Sequence, residues 1–157
     1  MREAGLVFSV RTSSREAFIR NATIAGWLLL AACAPKQPAP AVIDPTTLGG
    51  VTWRLEELAG RGVIDNSHVT IEFLPDGNVT GSGGCNRYSG SATLKGPQIT
   101  FTPLASTMMA CSPELMDQEM RFFAALGKAS TVSFDKTGAL LIQVNGEPKP
   151  LLFRKET

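Results

Sequence analysis

The chain has 157 residues, a formal net charge of +1 and 18% charged residues. This length allows one domain behind an N-terminal leader, and a domain of this size can bury a real core without additional covalent links. The near-neutral charge argues against nucleic acid as a partner, because such partners need a basic surface.

Residues 1–32 have the three-part pattern of an export signal. Arginines at positions 2, 11, 15 and 20 form a basic beginning, and the apolar segment Ala22–Ala32 is shorter than the about 20 residues of a transmembrane helix. The run Leu30-Ala31-Ala32-Cys33 resembles the cleavage and lipidation site of bacterial lipoproteins. We therefore predict a lipoprotein signal peptide over 1–32 and lipid attachment at Cys33. An ordinary signal peptidase site that happens to contain a cysteine is the alternative.

Lipid on Cys33 would attach the protein to a membrane. Each buried CH₂ group contributes about 0.8 kcal/mol, and two or more acyl chains anchor a protein stably. Ala34, and not Asp, follows the cysteine. By resemblance to lipoproteins of Gram-negative bacteria, this favours the outer membrane. We expect a cell-envelope protein that faces the periplasm.

Residues 33–47 are predicted to be the lipidated cysteine followed by a Pro-rich tether. Prolines at positions 35, 38, 40 and 45 favour an extended chain of about 3.1 Å per residue. The folded domain is predicted to span residues 48–157.

From Leu48 onward the apolar residues recur mostly with a period of two, which is typical of half-buried strands. The predicted inward-facing residues are Val51, Trp53, Leu55, Val69, Ile71, Phe73, Val79, Tyr88, Ala92, Leu94, Ile99, Phe101, Val132, Phe134, Ile142, Val144, Leu151 and Phe153. Tight turns are predicted at Pro75-Asp76-Gly77-Asn78, Lys95-Gly96-Pro97, Thr137-Gly138 and Asn145-Gly146. The pattern indicates about eight short antiparallel strands.

One helix is predicted after the fifth strand. Ser112 is a good N-cap, Pro113 suits the first helical position, and Gly127 is a C-terminal stop. An apolar stripe at helical spacing predicts packing onto the sheet. Its members are Leu115, Met116, Met120, Phe122, Phe123 and Leu126.

The chain has three cysteines. If Cys33 carries lipid, Cys85 and Cys111 remain, and an even pair in an exported, oxidising compartment predicts a disulfide. Loop-closure entropy would then contribute about 3 to 4 kcal/mol. Two alternatives need a free thiolate: a cysteine nucleophile with His68 as its base, and a zinc site built from the same three residues. His68 is far from both cysteines in sequence, and we expect it on the solvent side of a strand. We expect no metal and no cofactor.

Two linked motifs closely resemble the META domain of HslJ-like proteins. They are Gly83-Gly84-Cys85-Asn86-Arg87-Tyr88-Ser89-Gly90 and Leu104-Ala105-Ser106-Thr107-Met108-Met109-Ala110-Cys111. They fit the family patterns G-C-N-x-Y/F-x-G and T-x-M-A-C. Glu119 and Phe122 fit the E-x-x-F stretch of the family's helix, and Trp53 fits an early tryptophan.

The resemblance implies an α+β fold, in which one helix packs on a curved, barrel-like antiparallel sheet of about eight strands. Bacterial members of the family are often envelope proteins described as stress-related, and some are lipoproteins. The family has no established catalytic residues, so we assign none. The fold is also similar to that of small lipoprotein pilotins, which is an argument from fold alone.

The motif residues have a structural and a functional interpretation. Structurally, we expect Asn86 to bond nearby backbone and Thr107 to bond backbone in the loop before the helix. We expect Tyr88 to bury its ring and to find a partner for its hydroxyl. Functionally, Asn86, Arg87, Tyr88, Ser106 and Thr107 would be the polar rim of a binding site, with Arg87 as its principal residue.

We predict a non-catalytic, membrane-anchored accessory module, chaperone-like or pilotin-like, that binds an unknown envelope protein. The alternative is an inhibitor of an envelope-targeting hydrolase such as lysozyme. Ser89-Gly90 is similar to an S-G element of such inhibitors, but Thr93 stands where their aromatic residue is expected.

Overall fold

The computed structural model describes Ile43 and residues 45–157. The predicted signal peptide, Cys33 and most of the predicted tether lie outside the described residues. Among the residues that are described, no helix is both long enough and apolar enough to span a membrane.

The described chain contains two helices and ten strands. The helices are α1 (Pro45–Leu48) and α2 (Pro113–Leu126). The strands are β1 (Thr52–Leu58), β2 (Arg61–Gly62), β3 (Val69–Phe73), β4 (Asn78–Gly83), β5 (Arg87–Lys95), β6 (Gln98–Phe101), β7 (Ala105–Ser106), β8 (Ala129–Phe134), β9 (Leu140–Val144) and β10 (Leu151–Lys155).

Eight of the strands form a closed antiparallel barrel in the order β1-β3-β4-β5-β6-β8-β9-β10. The barrel closes because β10 also pairs with β1, with Leu55 opposite Phe153. This confirms the α+β, barrel-like fold and a main helix after the fifth barrel strand. The sequence did not predict β2 and β7, because two residues are too few to show a period of two.

The barrel interior holds the core. Trp53, Ile71 and Phe153 are among its fully buried side chains, and their parity along each strand is the predicted one. Val51, Ala92, Leu94 and Phe134 are only partly buried and pack around this core. The alternation therefore predicted correctly which residues face the barrel interior. It did not predict which of them are fully buried and which only partly buried.

The predicted turns are present. Gly77 between β3 and β4 has a φ of 82°, and Gly138 between β8 and β9 has a φ of 81°, values that favour glycine. Hydrogen bonds from the backbone and side chain of Asn78 lower the pKa of Asp76, which lies beside Gly77. These turns are therefore shaped by local hydrogen bonding as well as by glycine.

Helix α2 begins and ends where predicted. The Ser112 hydroxyl accepts the N–H of Leu115 at 3.4 Å, and the helix stops before Gly127. Phe122 enters the core, where its ring centroid lies 5.9 Å from that of Tyr88 and 6.4 Å from that of Phe153.

The predicted apolar stripe of α2 is wrong in part. Met116 and Met120 are 45% and 64% exposed, whereas Gln118 and Glu119 are 2% and 7% exposed. The two polar side chains take the inner face because they bind backbone N–H groups there, and the methionines lie on the flank.

The folded domain begins before the predicted boundary at residue 48. Ile43 is 6% exposed and belongs to the core, and residues 45–48 form α1. The indole N–H of Trp53 donates to the carbonyl of Leu48 at 3.1 Å, which attaches α1 to β1. The end of the predicted tether is thus drawn into the fold by apolar burial.

Candidate functional site

The residues of the first motif form the sharp connection between β4 and β5. The N–H of Gly83 donates to the carbonyl of Asn86 at 2.7 Å and closes the turn. Gly84 has a φ of 109°, in the left-handed region that favours glycine. The turn buries Asn86, which is 6% exposed, and leaves the next residue, Arg87, on the surface.

Glu119 of α2 accepts three hydrogen bonds from this turn. Its Oε2 accepts the N–H of Asn86 at 2.6 Å and the N–H of Cys85 at 3.2 Å. Its Oε1 accepts the Asn86 side-chain amide at 2.6 Å. A buried carboxylate requires such donors, because its desolvation is otherwise expensive. The carboxylate therefore fixes α2 to the turn.

The side chain of Asn86 extends the same connection to the loop before α2. Its Oδ1 accepts the hydroxyl of Thr107 at 2.9 Å and the N–H of Met109 at 2.7 Å. Thr107 in turn accepts the N–H of Arg87 at 3.2 Å. We call Asn86, Thr107 and Glu119 the polar network. Both side chains accept backbone N–H groups as expected, but these belong to Met109 and Arg87, which lie 23 and 20 residues away in the chain.

A disulfide joins the same two segments covalently. Cys85 and Cys111 form a disulfide, so the predicted pairing is confirmed. The nucleophile and zinc hypotheses both needed a free thiolate here, and the disulfide leaves neither sulfur free. Within residues 43 and 45–157, no group of three or more His, Cys, Asp or Glu side chains could hold a metal ion.

Tyr88 faces the barrel interior and is 2% exposed. Its hydroxyl donates to the carbonyl of Thr70 at 2.9 Å, and burial raises the pKa of the phenol well above its ordinary value. The ring packs edge-on against Phe123, with centroids 5.3 Å apart. The burial and the hydroxyl partner expected from the sequence are both confirmed.

A groove of about 500 Å³ runs over the outside of the barrel beside this turn. We call it the outer groove. It is lined by Thr52, His68, Thr70, Glu72, Thr80, Gly81, Ser82, Cys85, Arg87, Thr107 and Met109. Strand register explains this composition, because Thr70 pairs with Ser82 and Ser82 pairs with Arg87.

The outer groove is a hydrogen-bonding surface with one guanidinium. Its hydroxyls both donate and accept, and Arg87 offers up to five N–H donors in a planar fork. The side chain of Arg87 forms no ion pair with the described residues. Such a surface suits a polar ligand that carries a carboxylate.

The model of the META domain family matches residues 46–157 of this chain. The chain belongs to this family. No curated protein matches the chain.

Two solved structures share the fold of this META domain. One, an NMR structure, is 26% identical with a TM-score of 0.58, and the match covers 71% of this chain and 94% of that one. The other, an NMR structure of a protein from Burkholderia xenovorans, is 23% identical with a TM-score of 0.56, and the match covers 80% and 97%. Each solved chain consists almost entirely of the matched region, so in each of them the fold forms without a further domain.

The five proposed rim residues differ in exposure and fall into two groups. Arg87, Ser106 and Thr107 are exposed, and Arg87 and Thr107 line the outer groove. Asn86 and Tyr88 are buried beneath them, so these two cannot belong to an exposed rim. Asn86 is buried because its amide is used by the polar network, and Tyr88 because its ring fills the core.

The role of Gln118 in the META domain was not predicted from the sequence. Its Oε1 accepts the N–H of Ile64 at 2.7 Å, and its Nε2 donates to Ser67 at 2.9 Å. A signal was present, because Gln118 lies three residues after Leu115 and four before Phe122, on the face of the helix that is otherwise apolar. His68, expected on the solvent side, is exposed and lines the outer groove.

A larger hollow of about 690 Å³ lies elsewhere on the META domain, beside Phe134, Arg154 and Lys155. None of the motif residues lines it. We therefore take the outer groove, where the family motif, the disulfide and the exposed arginine meet, as the candidate functional site.

Proposed function

We propose that this protein is a non-catalytic binding module of the cell envelope, lipid-anchored at Cys33, which holds a partner protein in the outer groove of its META domain. The observation that carries the proposal is Arg87. Arg87 is exposed at the edge of the groove, and Thr107 fixes its backbone. The N–H of Arg87 donates to the Thr107 hydroxyl at 3.2 Å, and the N–H of Thr107 donates to the carbonyl of Arg87 at 3.0 Å. The planar fork of N–H donors on the guanidinium matches a carboxylate in a bidentate geometry, and the fixed backbone keeps the side chain at the groove.

The expected partner is an envelope protein that presents an acidic side chain. The groove offers hydroxyls for polar contacts along its length, and its one carboxylate, Glu72, gives a partner's donor groups an acceptor. A stress-related accessory role, chaperone-like or pilotin-like, agrees with this reading, because both need reversible binding of another chain and no catalytic group.

In-cell photocrosslinking tests the proposal. A photoreactive residue at position 87 should capture one discrete partner, because that position borders the groove. The same residue at position 143 is the matched control, since Gln143 is exposed on β9 and lines none of the described pockets. No adduct at position 87 beyond that at position 143 would contradict the proposal. Capture of lysozyme would support the inhibitor instead.

The anchor is tested separately by Cys33→Ala. Loss of the acyl chains should release the chain from sedimented membranes and abolish incorporation of labelled palmitate, because no other acylation site is proposed. The control is Cys85→Ala with Cys111→Ala, which removes the disulfide and keeps Cys33. Unchanged sedimentation and labelling of the Cys33→Ala chain would refute the anchor.

A further inference from the structure

The methionines of the described domain all lie in one short segment of the chain. The four in the described chain, Met108, Met109, Met116 and Met120, are 99%, 61%, 45% and 64% exposed. Within residues 43 and 45–157 no methionine belongs to the core, which is built from Leu, Ile, Val and aromatic side chains. Methionine is usually a buried gap-filling residue, so four exposed thioethers within residues 108–120 need an explanation.

One of these thioethers lies in the candidate site. Met109 lines the outer groove together with Arg87 and Thr107. Its backbone is held in place, because its N–H donates to Asn86 Oδ1 at 2.7 Å and its carbonyl lies 3.5 Å from the sulfur of Cys85. The backbone of Met109 is therefore fixed in the loop that borders the outer groove.

We propose that Met109 is a reversible oxidation site that makes the outer groove redox-sensitive. The oxidant is a peroxide or another two-electron oxygen donor. With hydrogen peroxide, the thioether lone pair attacks one peroxide oxygen and an S–O bond forms as the O–O bond breaks. The departing hydroxide takes the proton from the new S–OH group, so a neutral sulfoxide and water are formed. The sulfur is oxidised by two electrons and the peroxide is reduced by two. Methionine sulfoxide reductases reverse the change.

Oxidation changes the groove because it adds a polar acceptor to the lining that Met109 shares with Arg87. We expect the sulfoxide oxygen to accept a hydrogen bond from the guanidinium, which has no ion-pair partner in the described chain. The fold is retained, because none of the four methionines packs in the core. The two described cysteines do not compete for the oxidant as thiols, because they are bonded to each other.

The effect of Met109 oxidation on partner binding rests on the proposed function, but the oxidation itself and its effect on Arg87 do not. The test therefore uses no partner. Hydrogen peroxide is titrated into the domain (residues 43–157), sulfoxides are mapped by peptide mass, and the Arg87 Nε–H signal is followed by NMR. Met109→Leu removes the sulfur at similar volume, and Met116→Leu is the matched control outside the groove.

The wild-type domain should gain one oxygen at each methionine, fastest at Met108, with no change in thermal midpoint. The Arg87 signal should shift in the wild type and in Met116→Leu, stay in place in Met109→Leu, and return after reductase treatment. The proposal is overturned if Met109 resists a peroxide dose that converts Met108. It is equally overturned if Met109 is converted and the Arg87 signal does not move, or if that signal moves as much in Met109→Leu. Failure to capture a partner at position 87 would refute the proposed function and leave these results unaffected.

Discussion

Glu119 is a buried charged side chain on which the geometry of the site depends. Its two oxygens face three donors: the N–H groups of Cys85 and Asn86 and the Asn86 amide. Glu119→Gln replaces one oxygen by an NH₂ group, which must then face a donor. We expect a loss of about 1.5 to 3 kcal/mol in the free energy of unfolding, measured by denaturant titration.

The matched control is Glu57→Gln, an exposed carboxylate on β1. Its effect should stay within about 0.5 kcal/mol, as for most surface substitutions. Equal stabilities of the two variants would mean that the polar network does not hold α2 to the turn.

Tyr88 provides a titration that reports directly on the core, because it is the only tyrosine of the chain. Burial raises its pKa, so above a pH of about 10 the unfolded chain loses the phenolic proton while the folded chain keeps it. The contribution of Tyr88 is therefore fully present below pH 10, and stability should fall by about 1.4 kcal/mol per pH unit above it.

Tyrosinate absorbance and circular dichroism, recorded together against pH, check this expectation. The absorbance should rise only as the fold is lost. In Tyr88→Phe, the fall in stability above pH 10 should be correspondingly shallower. Tyrosinate that forms near pH 10 in a domain with native dichroism would show that the ring is accessible.

At the scale of elements, Gly83 controls how closely α2 approaches β4. A Cβ at this position would lie 2.6 Å from Oε2 of Glu119 and 2.9 Å from Cζ of Phe123. Gly83→Ala should therefore push the helix outward and destabilise the domain by about 1 to 3 kcal/mol. Gly62→Ala is the control, because among the described residues no atom outside its two chain neighbours lies within 4 Å of its added Cβ. Chemical denaturation should separate the two variants, and similar midpoints would contradict the close approach.

The sequence predicted the barrel strands and α2 because period-two alternation, glycine turns and helix caps are local signals. It could not place Met116, Met120, Gln118 and Glu119 correctly on α2, because hydrophobicity alone ranks methionine above glutamate for burial. The actual order depends on backbone donors from distant segments, such as the N–H of Ile64, which lies 54 residues from Gln118.

The candidate site was also predicted only in part, because some of its contacts join segments that are distant in the chain. The exposure of Arg87 and the pairing of the cysteines followed from residue type and count. The burial of Asn86 did not, because its amide meets partners 21 and 33 residues away in the chain. Nothing local indicates that a small polar residue in a glycine-rich turn becomes the centre of a buried network.

At the scale of the whole molecule, barrel closure joins the two ends of the domain. Trp53 of β1 pairs with Lys155 of β10, almost at the end of the chain. Alternation reveals which face of a strand is buried but not which strand it pairs with, so closure was expected only through resemblance to the META family. The closed barrel makes the outer groove a preformed surface, bounded by β3, β4 and the disulfide-linked loop.

The central claim is that this preformed surface binds a partner through Arg87. The most direct measurement is a titration of the partner captured at position 87 against the wild-type domain, Arg87→Ala and Lys136→Ala, an exposed cation in the β8–β9 turn. Loss of a buried carboxylate–guanidinium contact should weaken binding by at least about tenfold, since such contacts contribute about 2 kcal/mol or more. Lys136→Ala should bind like the wild type. Equal dissociation constants for all three proteins would contradict the claim.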